Sequence, residues 1–408
     1  HGAAAVSRQD FGARAVSQGP CRRVARFAAL LAVMALTAAC ARPAVAPEAT
    51  QVATPVATSA ASPVASPAMS TATSTTTTAA TAATPTPGPG GSAAAPDPPD
   101  GASLTISAVG DISLARQVVD RMEANGADYP YALIAPLMTG DIGFANLEGP
   151  LTDRGEIWPK GYNFRTPPRF AAGLAGRFSV VTLANNHAMD YGAIGMQDTM
   201  AALDAVGIRH TGGGDGIARA IAPAVFDVRG VRVAFVACVL TPNEGGGFDV
   251  HAWAARGNEP GVAVCGSSLL GDAIAAGRRL ADFVVVAVHA GTEYDNTPNA
   301  TQRELAEQAL AAGADVYIGA HAHVVQPVEQ RGDQLIAWGL GNFVFDLDDV
   351  DLANIPEPRV SLILNITLTK GRGVTAWEAV PVTLDADEDR PRPATAAEAA
   401  ILRELIER

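Results

Sequence analysis

Five apolar runs between residues 104 and 323 each stop on a residue that an apolar core does not take in. Leu104 to Val109 runs into Gly110-Asp111, and Asp141 to Asn146 into Asn146-Leu-Glu148. Phe178 to Ala184 ends in Asn185-Asn186-His187, Phe283 to Val288 in His289, and Asp315 to Ile318 in "GAHAH", Gly319 to His323. A buried amide, imidazole or carboxylate must find partners or cost stability. Chains therefore avoid such endings unless the strand ends meet at a site. A further apolar run, Val231 to Leu240, and amphipathic stretches over Ala193 to Val206 and Thr301 to Ala312 complete the alternation. Strand-like and helix-like segments in alternation predict an α/β fold with sheets covered by helices. In such sheets ligands bind where strand ends converge. Val360 to Leu368 and Val374 to Leu384 flank Lys370-Gly-Arg-Gly373, which predicts a β-hairpin, and Ala396 to Arg408 predicts a helix.

The residue types at these ends define the chemistry. Carboxylate, amide oxygen and imidazole together suit Mn, Fe, Zn or Mg rather than a soft thiolate metal. His321 and His323, two apart on an extended segment, would point the same way. Glu148 could bridge two ions roughly 3.5–4 Å apart, the spacing of two-metal hydrolases. Asp141 is expected to start its strand or cap a turn and is left out of the set. Each piece alone is common; their occurrence in one order, each after an apolar run, is what carries weight.

That order resembles the calcineurin-like metallophosphoesterases, with their Gly-Asp, bridging acid, Gly-Asn-His, lone His and Gly-His-x-His. The closer resemblance is to the CapA family of capsule (poly-γ-glutamate) synthesis proteins, through "AVGDISL", "NLEGPLT", "LANNHAMDYG", "HAGTEYDNTPNATQ", "GADVYIGAHAHVVQPVE" and "GLGNFVFD". It spans about Ser103 to Asp385. It implies a metallophosphoesterase-like sandwich of two mixed β-sheets flanked by α-helices. It also implies Asp111 and His323 at one metal position, Asn186, His289 and His321 at the other, and Glu148 between them. His187 would be the acid or transition-state residue, oriented by Asp190. Glu293, Tyr294 and Asn342 follow as substrate contacts. One departure stands out: phosphoesterases carry Asp-x-His after the first strand, whereas this chain reads Asp111-Ile-Ser113. The resemblance thus implies one or two divalent metal ions and an anionic polymer or precursor, poly-γ-glutamate foremost. Two functions stay open, a metal-dependent hydrolase or transferase and a non-catalytic polymer-binding or export accessory working with other capsule-synthesis proteins.

The rest of the chain bears on location. Arg22, Arg23 and Arg26 precede an apolar run, Phe27 to Ala39, which is the pattern of a secretory signal. Cys40 directly after small residues resembles a lipoprotein site, so residues 1–40 are expected to be a leader lipidated at Cys40. Export and anchoring on the extracytoplasmic side of the membrane would follow. Residues 41–100 are Ala, Thr, Ser and Pro with little charge, a composition expected to form a disordered tether. A domain over 101–385 and a tail with a helix over 386–408 complete the plan. The net charge of -13 argues against a nucleic-acid partner. Cys238 is expected in the core, and a bridge to Cys265 is left open, because spacing alone cannot bring the two together.

Overall fold

Val231–Leu240 shows how the sequence builds the architecture. It is apolar at every position except Arg232, the pattern of a strand covered on both faces. Its alternate residues serve two cores. Val233, Phe235, Ala237 and Val239 join the larger one, while Ala234, Val236 and Cys238 join a second. The neighbouring strand Phe283–Ala290 divides the same way, with Val285 and Ala287 against Val284, Val286 and Val288. The second core is closed by Leu270 and Ile274 of helix Ser267–Leu280 and by Leu305 and Ala309 of helix Ala300–Ala311.

The computed structural model describes residues 101–408 except 245, 246 and 357. The expected leader, Cys40 and the tether lie outside the described residues. Among the described residues, no helix is long and apolar enough to cross a membrane.

Two large sheets face each other. The six-stranded sheet runs Val328–Arg331, Gln334–Ala337, Val316–Ala320, Phe283–Ala290, Val231–Leu240, Ala224–Val228. Its four central strands are parallel and its two edges antiparallel. In the eight-stranded sheet, Ser103–Ile112 sits between the hairpin and a parallel half made by Ile142–Leu147, Val180–Thr182 and Arg209–Thr211. The hairpin is Val360–Thr369 with Gly373–Asp385, and Arg390–Pro393 extends it at the edge. Phe144 of this sheet stacks on Phe235 of the other, ring centroids 5.7 Å apart, so the larger core is the seam between them. Both sheets are mixed and carry helices, as the sandwich requires.

The elements agree with the sequence reading with small shifts. The helices run Gly192–Ala205 and Ala300–Ala311, and the Phe178 to Ala184 run forms a strand only over Val180–Thr182. The C-terminal helix Ala396–Ile406 adds Leu402 and Ile406 to the seam core. Cys238 does more than fill the core: it is bonded to Cys265, Cα–Cα 5.0 Å. Asp141 lies just before its strand, accepting from the Thr105 N–H at 2.9 Å and pairing with Arg229 at 2.8 Å, as a structural residue.

Parallel strands within a sheet send their C-terminal ends to one side. Asp111 is in register with Asn146 on one flank and Asn342 of strand Asn342–Val344 on the other. In the second sheet His289 is in register with Ala320, the residue before His321. Gly110 permits the first of these meetings, because a Cβ there would lie 1.9 Å from the carbonyl oxygen of Gly341.

Candidate metal centre

All the expected site residues except Glu293 and Tyr294 are buried, although their side chains carry charge or amide groups. Asp111 stands at the end of the central strand. Its Oδ1 accepts from Asn146 Nδ2 at 2.8 Å, and its Oδ2 accepts from the His321 backbone N–H at 3.2 Å. Glu148, two residues past Asn146, points into the same space, its Oε2 3.3 Å from that amide nitrogen. The Asn146 nitrogen also lies 3.2 Å from His289 Nδ1, so one amide ties together two acids and an imidazole.

His289 Nε2 is 2.9 Å from Asn186 Oδ1. Asn185 serves the turn, as its position suggests: it donates to the Leu147 carbonyl at 2.7 Å and accepts from the His187 N–H at 3.0 Å. The His321–His323 segment is not the extended pair that the spacing predicts. The strand stops at Ala320 and both histidines take positive φ, 90° and 58°. Their rings nevertheless share the site, centroids 6.1 Å apart, with His289 4.8 Å from His321. Asn342 accepts from His323 Nδ1 at 2.8 Å, which leaves Nε2 as the free lone pair.

These side chains form two overlapping groups able to hold a cation. Asp111, Glu148 and His323 bring ligand atoms within 4.8 Å of one another, and so do Glu293, His321 and His323. Two donor atoms support the fit directly. Glu148 Oε1 and His321 Nδ1 are buried without a hydrogen-bond partner among the described residues. An unmet buried group of this kind costs about 1–3 kcal/mol, a cost that a bound divalent cation would relieve. Electrostatics points the same way. Burial, then the Asp111 and Glu293 carboxylates, push the Glu148 carboxyl well above its usual range. Burial, then neighbouring imidazoles, hold His289 and His321 well below 6.5, in the neutral form that binds metals. Oxygen and imidazole donors fit Mn, Fe, Zn or Mg, and among the described residues no thiolate joins these groups to favour a softer ion.

His187 stands at the wall. Its Nδ1 is 2.8 Å from Asp190 Oδ2, and its Nε2 points towards Glu148 Oε1 at 4.0 Å. Phe164 packs on its ring at 4.2 Å between centroids. Burial, then the Lys160 charge, keep His187 well below 6.5. Asp190 is fully buried, accepts from the Phe164 N–H at 2.6 Å, and is pushed up to about 7 by burial while Lys160 opposes the shift.

The sequence reading missed Lys160. Its side chain is 0% exposed and its ammonium reaches Asp190 Oδ1 at 3.0 Å, Glu244 Oε2 at 3.5 Å and the Asn186 carbonyl at 2.5 Å. Glu244 in turn accepts from Asn186 Nδ2 at 2.8 Å. A signal existed: this chain has only two lysines among 29 basic residues, and one sits in "WPKGYNF". The amide of Asn146 was equally legible as a strand end, but not as the hub of the site.

The centre opens into a cavity of about 500 Å³. His187, His321 and His323 lie on its floor, and Glu293 and Tyr294 line one wall. The Tyr294 hydroxyl donates to Asp351 at 2.9 Å.

Residues 105–347 match the family model described as bacterial capsule synthesis protein PGA_cap. The chain is similar to a "PGA biosynthesis protein CapA" of Bacillus subtilis (strain 168), 34% identical over 74% of this chain and 77% of that one. A "Capsule biosynthesis protein CapA" of Bacillus anthracis is 31% identical over 72% and 70%. A "Probable polyglutamine synthesis accessory protein" of Mycobacterium tuberculosis (strain ATCC 25618 / H37Rv) is 30% identical over 52% and 57%. On the match across most of the folded region, the chain belongs to the bacterial capsule synthesis protein PGA_cap family.

Proposed function

We propose that this protein is an envelope component of capsule or poly-γ-glutamate synthesis that holds one or two divalent cations and hydrolyses or transfers an anionic polymer or its precursor. The observation that carries the reading is a pair of buried ligand atoms, Glu148 Oε1 and His321 Nδ1, with no hydrogen-bond partner among the described residues, within a cluster that opens to a cavity. Asp111, Glu148, Asn186, His289, His321 and His323 would be the ligands. A bound cation would polarise a carbonyl or phosphoryl oxygen and lower the pKa of water.

The chain's own residues then handle protons and orientation. Asp190 fixes the His187 ring through Nδ1, and Lys160 fixes Asp190, so Nε2 is the atom that gives or takes a proton. Phe164 covers the imidazole face and excludes water there. Glu293 and Tyr294 on the cavity wall would touch substrate, and Asn342 would act through His323, which it orients. The Cys238–Cys265 bridge supports an oxidising compartment, in keeping with the expected leader and with lipidation at Cys40.

A second reading, a non-catalytic accessory that grips polymer, is favoured by Ser113 standing where phosphoesterases carry a histidine ligand, and by the accessory name of the Mycobacterium relative. A panel of phosphodiesters and γ-glutamyl peptides with added Mn separates the two. Turnover should fall about 10²–10⁴-fold in His187→Ala. Tight polymer binding with no turnover of any substrate would replace the enzyme reading by the accessory one.

A further inference from the structure

The cavity has one basic side chain on its wall among the described residues, Arg116, and its setting is unusual. Arg116 follows the central strand and adopts φ 56°, ψ -129°, a backbone conformation that a non-glycine residue holds only when its surroundings enforce it. Its guanidinium lies 4.9 Å from the Phe164 ring centroid and 5.5 Å from that of Tyr162. The same Phe164 ring packs on His187. Its one hydrogen bond among the described residues is long, Nη1 to Asp348 Oδ2 at 3.4 Å. The guanidinium is thus held by aromatic faces, and most of its donor fork is unspent.

The carboxylates around it are already engaged. Asp348 Oδ1 accepts the backbone N–H groups of Val350 and Asp351, at 2.9 and 3.2 Å, which caps helix Asp349–Asn354. Asp351 takes the Tyr294 hydroxyl, and Glu244 takes Lys160 and Asn186. Only Asp348 Oδ2 turns to Arg116, in an ion pair at 3.4 Å that uses a single N–H of the guanidinium. A planar fork with free donors, fixed beside the floor histidines, fits a carboxylate or phosphate group in bidentate fashion.

We propose that Arg116 is the specificity residue of the cavity, binding an oxyanion of the substrate beside the reacting bond. Resting on the proposed function, it assigns the α-carboxylate of a γ-glutamyl unit or the phosphate of a phosphorylated precursor to this guanidinium.

The test is a titration of the full-length chain with oligo-γ-glutamate, with the same oligomer amidated at its α-carboxylates, and with inorganic phosphate. Arg116→Gln should weaken the charged oligomer roughly tenfold or more and leave the amidated one unchanged, since a charge-assisted bond alone is lost. Arg116→Lys should recover part of that loss, because it keeps the charge without the fork. Phosphate binding that depends on Arg116, with no oligomer binding, would support the anion site and sink the polymer as substrate. Equal losses for charged and amidated oligomers would reduce Arg116 to a structural prop for Phe164 and overturn the proposal. So would unchanged binding of every anion, or a wild-type chain that binds none. Because binding is read directly, loss of the catalytic reading leaves this outcome interpretable.

Discussion

The two sheets contribute different atoms to the centre. The eight-stranded sheet delivers oxygens, from Asp111, Glu148 and Asn186, together with the imidazole of His187. The six-stranded sheet delivers nitrogens, from His289 and from the turn that carries His321 and His323. Of the two candidate groups, Asp111, Glu148 and His323 draw on both sheets, whereas Glu293, His321 and His323 all follow strands of the six-stranded one. The difference teaches that the Asp111 group is a property of the seam, where hard oxygen donors of one sheet are brought against an imidazole of the other.

Removing one sheet's contribution should have the largest effect. A His289→Ala and His321→Ala double variant should lose its bound metal, read by elemental analysis of the purified protein, while folding normally by circular dichroism. Retention of full metal content would mean that Asp111, Glu148 and His323 suffice to hold the ion. Next in size is the seam itself. Phe144→Ala removes the ring stacked on Phe235 and should cost about 3–5 kcal/mol in denaturant unfolding. If metal content is then unchanged at folded concentrations, the centre is less dependent on seam packing than its geometry implies.

The outer layer offers the contrast. Replacing Cys238 and Cys265 by Ser releases a loop with sequence separation 27 and should cost about 3 kcal/mol. This side of the sheet faces helices rather than the centre, so metal content should hold. The smallest effect lies at the start of the last helix. Arg392, then the Thr395 N–H, hold the Glu398 carboxyl at about 2. That is below the unfolded value of about 4.3, so the ionised form stabilises the fold. The contribution is complete above the unfolded value and fades as pH falls through about 2. Glu398→Gln should therefore melt lower than wild type at pH 6, and the gap should shrink between pH 4 and 2. A gap constant across that range would remove the ionic explanation.

Much of this was legible in the chain. Short continuous apolar runs define strands covered on both faces, and amphipathic stretches closing near glycine define helices, because both are local properties of the chain. Polar residues at strand ends announce themselves against apolar neighbours, which is why Asp111, Glu148, Asn186, His289, His321 and His323 could be named in order. Lys160, Glu244 and Arg116 carry no such mark, and for Lys160 only the rarity of lysine in this chain sets it apart. They sit outside regular strands and helices and reach the centre over long sequence separations, so no periodicity marks them. Asn146 illustrates the intermediate case. Its place at a strand end was evident, but the three partners of its amide nitrogen come from two sheets.

By itself the sequence determined which residues would end strands, which would face a core, and which donor types would be available to a cation. Alternation and residue chemistry act within a few positions of each other, so no tertiary information was needed. Only the folded chain decided that Cys238 meets Cys265 and that His321 and His323 converge through positive φ rather than extended backbone. It also decided that a lysine would be fully enclosed behind His187. Such outcomes depend on which surfaces pack, and packing is settled by long-range burial that no local pattern contains.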